Sequence, residues 1–181
     1  MPSGTIADLA VLGVVHTRDT TPTQISKIAK SLVPDLWYPT TDVIKVAIQR
    51  CLDRTNFIDG PLEIISITDA GRRYLRELLL HNPGDQISPE TLALEALQFC
   101  FLDTADSEIA QHVLQRLHRR TRRRLEEFEN RCRQCPHSGR FTNIWMDMET
   151  HRLETTARML ALARDKIGPS KAPGLMPEAA H

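Results

Sequence analysis

Cys132, Cys135 and His137, in the run Cys132-Arg-Gln-Cys135-Pro-His137, have the residue types and spacing of a ligand set. Two thiolates and an imidazole would fill three of the four positions around zinc, with His118, His151 or a second copy of the chain supplying the fourth. A thiol beside Arg131 and Arg133 would alternatively sense oxidants. No second Cys-x-x-Cys accompanies the run, and haem attachment needs a His directly after the second Cys. Cysteines at a helix end without a function are the plainer explanation, so neither a metal nor a cofactor is expected. The chain has no Gly-rich phosphate loop, no nucleophile elbow and no carboxylate pair spaced for acid–base work. An enzyme is therefore not expected.

A second group of residues is suited to binding. Thr40, Thr41, Lys45, Gln49 and Arg50 would share the polar side of one helix. Hydroxyls and backbone N–H groups at a helix start suit a phosphate, which points to Thr40 and Thr41. Lys45 and Gln49 lie one turn apart; Lys reaches guanine acceptors and Gln reads adenine. Arg50 is a further candidate for phosphate or base, and Lys27 and Lys30 on the preceding helix would flank the backbone. A solvated helix face needs no partner at all, but the order of the surrounding elements favours double-stranded DNA.

Those elements read as follows. Residues 5–16 form an apolar helix, with Ile6, Leu9, Leu12 and Val14 inward. Thr21-Pro22-Thr23-Gln24 is a helix start with a capping box, and Pro34 closes that helix. The next helix begins near Thr40 or Thr41. Its apolar stripe is Val43, Ile44, Ala47, Ile48, Cys51 and Leu52, and Asn56 is expected to make its left-handed end. Phe57-Ile58 and Leu62 to Ile67 then resemble two strands around Asp59-Gly60-Pro61. Thr68-Asp-Ala-Gly71 launches a helix with Tyr74, Leu75, Leu78 and Leu79 inward. Asn82-Pro83-Gly84-Asp85 is the strongest break. Beyond it, helices are expected to Phe101, over about 106–133 and over about 142–166.

This order is that of a winged helix-turn-helix, mainly α with a short two-stranded wing, followed by an all-α region. The expected division is a DNA-binding domain over 1–84, a helical dimerisation domain over 85–167 and a disordered tail over 168–181. Leu9-Ala10-Val11-Leu12-Gly13, Leu36-Trp37-Tyr38-Pro39-Thr40, Ile67-Thr68-Asp69-Ala70-Gly71-Arg72 and Phe101-Leu102-Asp103 resemble segments of the PadR family of bacterial transcriptional regulators. The resemblance covers roughly residues 5–166 in pattern. It implies a homodimeric DNA-binding regulator, a repressor on a pseudo-palindromic operator, whose affinity a small and often aromatic effector changes. Trp37, Trp145 and Met148 are the residues that would line an effector pocket between subunits, although such side chains at helical spacing are more often plain core.

Charge sets a limit on this reading. Lys plus Arg and Asp plus Glu number 23 each in 181 residues. Residues 1–88 hold nine basic and ten acidic side chains. No global field attracts the chain to DNA, so its cations must gather on one face. The Arg116–Arg124 run is followed by Glu126, Glu127 and Glu129 and reads as a solvated, ion-paired helix. No apolar run is long enough to span a bilayer, and a cytoplasmic protein that makes no membrane contact is expected. The alternatives to a DNA reader are a winged-helix protein-interaction module and a thiol or zinc sensor acting through Cys132 and Cys135.

Overall fold

The computed structural model describes residues 3–59, 64–135 and 139–167. It is mainly helical with one small sheet. Helix α1 (Ser3–Thr17) has little polar surface, and Ile6, Leu9, Leu12, Val14 and Val15 are all buried. A helix apolar all round must be surrounded. Accordingly α2 (Pro22–Leu32), α3 (Thr41–Asp53), α4 (Asp69–Leu80), α5 (Pro89–Cys100) and strand β2 (Ile65–Ile67) all pack against it.

Local chemistry fixes the ends of these helices. At α2 the Thr21 hydroxyl accepts from the Gln24 N–H at 3.4 Å, and the Gln24 carboxamide accepts from the Thr21 N–H at 3.5 Å. The expected capping box is complete. Helix α3 ends in a Schellman arrangement, with Asn56 N–H donating to Cys51 O at 2.8 Å and Thr55 N–H to Leu52 O at 2.9 Å. The left-handed residue is Thr55 (φ 57°), not Asn56 as expected. Asn56 is buried and extends toward the sheet, where its carbonyl accepts from the Thr68 N–H at 3.0 Å.

Strand β1 (Phe57–Asp59) pairs antiparallel with β2, placing Phe57 opposite Ile67 and Asp59 opposite Ile65. The expected turn at Gly60-Pro61, with Leu62 and Glu63, lies outside the described residues. Thr20 adds a bridge to Ile65, with backbone bonds of 2.8 and 3.2 Å. Thr68 then caps α4, accepting from Gly71 N–H at 3.0 Å and donating to Thr55 O at 2.7 Å.

The chain divides into two compact units, residues 1–109 and 110–181. The expected boundary at 84/85 is only a turn, with Gly84 at φ 80°. Helix α5 belongs with the first unit because Leu94, Leu97 and Phe101 enter the same core as α1. Gln98, fully buried on α5, donates to the carbonyls of Leu78 (2.9 Å) and His81 (2.8 Å), which ties α5 to the end of α4. A short 3-10 turn (Leu102–Thr104) leads into α6 (Ser107–Gln134), and α7 (Arg140–Ile167) follows. In the second unit Leu125, Phe128 and Leu153 form a small core joined by Cys132 and Met146.

Candidate nucleic-acid interface

Helix α3 buries Ile44, Ala47, Ile48 and Cys51 against the first unit's core. Its opposite side exposes Thr41, Asp42, Lys45, Val46 and Gln49. Val43, expected in the buried stripe, is 39% exposed. The anchored face leaves the polar one free to meet a ligand as a rigid unit.

The start of α3 is held by Thr40, whose hydroxyl accepts from Val43 N–H at 3.4 Å. Lys30, on α2, donates to the Thr41 hydroxyl at 2.8 Å. An ammonium therefore stands beside the positive end of the α3 dipole. Both hydroxyls are engaged as acceptors, which leaves each its own proton to donate to a phosphate oxygen. Lys27 is exposed on α2, and Lys45 on α3. Gln49 donates to Asp53 at 2.8 Å. A carboxylate only accepts, so the amide end of Gln49 is fixed, and a second N–H and the carbonyl oxygen remain for a base edge.

Arg50 departs from the sequence expectation. Its guanidinium turns to α1, where Nε donates to the two Asp8 oxygens at 3.0 and 3.2 Å and Nη2 pairs with Oδ1. Nη2 also donates to Gly4 O at 3.4 Å, and the Tyr74 hydroxyl donates to Asp8 at 3.0 Å. Asp8 is 3% exposed. A buried carboxylate must be paired, and Arg50 meets that need. The hydrogen bond to Asp8 raises the Arg50 pKa, while burial, then the Asp8 charge, pushes the Tyr74 hydroxyl up. Sequence reading missed Asp8, although a lone carboxylate inside an apolar helix was the available signal.

Trp37 packs, partly buried, on the core of the first unit. Trp145 (58% exposed) and Met148 (66%) are on α7 in the second unit, with the Trp145 ring edge-on to Phe128 at 5.7 Å. A cavity of about 450 Å³ between α6 and α7 is lined by Glu129, Cys132, Asn143, Met146 and Asp147 among others, and by none of those three residues. Cys132 and Cys135 are half-buried. No cluster of three metal-ligating side chains occurs among the described residues, and His137 lies outside them. Within the arginine-rich run of α6, Arg123 pairs with Glu127 at 2.9 Å. None of the described helices is long and apolar enough to cross a membrane.

No protein-family model matches the chain, nor does any curated protein. Solved structures are similar to it over nearly the full length of both chains. Bacillus subtilis PadR is 13% identical, covering 94% of this chain and 99% of its own, with a TM-score of 0.44. The same protein in complex with operator DNA is 15% identical, covering 88% and 98%, at a TM-score of 0.40. The Vibrio cholerae virulence activator AphA is 14% identical, covering 89% and 97%, at a TM-score of 0.41.

Proposed function

We propose that the chain is a DNA-binding transcriptional regulator of PadR type, acting in the cytoplasm as a homodimeric repressor on a pseudo-palindromic operator. The observation that carries this reading is the solvated side of α3. Lys30 stands at its N-terminus beside the Thr40 and Thr41 hydroxyls, and Lys45 and the oriented Gln49 follow along the same helix. Thr40, Thr41, Lys27 and Lys30 take phosphates, while Lys45 and Gln49 face base edges. Arg50 serves the fold.

The second copy is supported by α7. Phe141, Trp145, Met148, Met159 and Leu162 are 81, 58, 66, 60 and 51% exposed; the first three step by four and three residues and the last two by three, with Arg152 and Thr155 at the seam positions between the two groups. Apolar surface of that extent calls for a cover, and an identical helix supplies one. A small aromatic effector would act at Trp145 and Met148 on this seam.

Fluorescence anisotropy against the protein's own upstream intergenic DNA, with scrambled duplex as control and across a salt series, tests the reading. Lys45→Ala and Gln49→Ala should each abolish the preference for the specific duplex. Two phosphate-facing cations per subunit, Lys27 and Lys30, make about four phosphate neutralisations per dimer, so log K should fall with log salt at a slope of about −4. Equal, weak binding to both duplexes would refute it. That outcome favours a protein-interaction module, a reading that Asp42 and Asp53 on α3 and the balanced net charge also motivate.

A further inference from the structure

Val46 is 59% exposed on the solvated side of α3, well away from the buried stripe. Asp42 lies one turn before it on the helix surface, and Gln49 lies three residues after it. Arg50, four residues on, would ordinarily cover a neighbour at that spacing, but its guanidinium is held at Asp8. Val46 therefore stands uncovered beside the one side chain of the face whose amide is already oriented. Val43, three residues before it, is 39% exposed.

A branched apolar side chain at this place does nothing for the core and lowers helix propensity slightly. Lys45 precedes it in sequence, Lys30 stands at the helix start, and Asp42 lies one turn before it. The apolar feature that the major groove of DNA presents is the C5-methyl of thymine. We propose that Val46 is a specificity-determining residue that packs on the C5-methyl of one thymine in each operator half-site. Gln49 reads an adenine within one base-pair step of it. This inference rests on the DNA reading above and narrows it to an A·T-containing half-site whose recognition depends on a methyl group.

The test begins by selecting bound duplexes from a random pool with the full-length protein. Each thymine of the selected half-site is then replaced by deoxyuridine, which removes the methyl and leaves every hydrogen-bonding group in place. One replacement per half-site, two per operator, should weaken binding by the wild-type dimer about sixteenfold, about fourfold for each buried methyl. Val46→Ala should lose a similar factor on the thymine duplex and become indifferent to that replacement, with its thermal unfolding unchanged. Selective binding that is insensitive to every uracil, or a Val46→Ala protein as sensitive as wild type, would overturn this inference and leave the DNA reading standing. A protein that selects no duplex at all would remove both.

Discussion

The guanidinium of Arg50, near the end of α3, is paired with the carboxylate of Asp8, buried on α1, and the Tyr74 hydroxyl of α4 closes on the same carboxylate at 3.0 Å. Three helices thus meet on a single charge. The pair is not fully sequestered, since the Arg50 side chain is 30% exposed against 4% for Asp8. The cost of breaking it therefore lies below that of a fully buried pair. Arg50→Ala should destabilise the fold by about 2 kcal/mol, because it strands a buried carboxylate. Lys45→Ala, five residues earlier and exposed, should change stability by less than about 0.5 kcal/mol. Urea unfolding of the two variants decides; equal midpoints would mean that Arg50 is a surface residue after all.

Gly71 carries a different constraint. A Cβ there would lie 2.3 Å from the Asn56 carbonyl oxygen and 2.7 Å from Ile67 Cγ1. The obstacle is backbone, held by the Thr68–Asn56 hydrogen bond, so it cannot swing aside. Gly71→Ala should cost about 3 kcal/mol. Gly84, at φ 80° with nothing near its absent Cβ, makes the contrast: its alanine variant meets backbone strain alone, about 1 kcal/mol. Chemical denaturation that ranks the two in the opposite order would refute the packing argument.

Features set by neighbours in sequence were legible before the structure. The Thr21/Gln24 capping box, the helix starts near Thr40 and at Thr68–Gly71 and most of the buried stripe of α3 each depend on residues three to four apart, which a one-dimensional pattern records. Partners far apart were not legible. Arg50 and Asp8 are 42 positions apart, and nothing in the polar face of α3 marks which cation turns inward. The Thr20–Ile65 bridge escaped notice for the same reason. Val43 fits the apolar stripe by period, but the stripe's edge is wider than the buried arc, so it emerges exposed. The Asn82–Asp85 break interrupts the helical pattern, but α5 beyond it packs back on α1, and that return is set by packing between distant residues.

Cys51 should be chemically silent in the native state. Burial, and then the nearby Asp8 charge, push its thiol up to about 12. At pH 8 the thiolate fraction is about one in ten thousand, and the thiolate is the reactive form. Brief alkylation at pH 8 followed by peptide mass mapping should label Cys132 and Cys135, which are half-buried, and leave Cys51 unmodified until denaturant is added. Labelling of Cys51 at a rate matching Cys132 would contradict the packing around the end of α3.

His16 makes stability depend on pH. Its imidazole is held below its usual value by burial first, then by Arg72 and Arg76. Arg72 Nη1 lies 3.4 Å from His16 Nδ1, and because a guanidinium only donates, Nδ1 is the acceptor and the ring proton sits on Nε2. Protonation would set an imidazolium against two guanidinium groups. The unfolded chain takes up this proton near pH 6.5 while the fold resists it, so stability is full above that pH and declines as pH falls below it. Replacing His16 with Gln should remove this component. Between pH 7.5 and 5.5 the wild-type melting temperature should fall further than that of His16→Gln, and parallel losses in the two proteins would show that other groups account for the whole dependence.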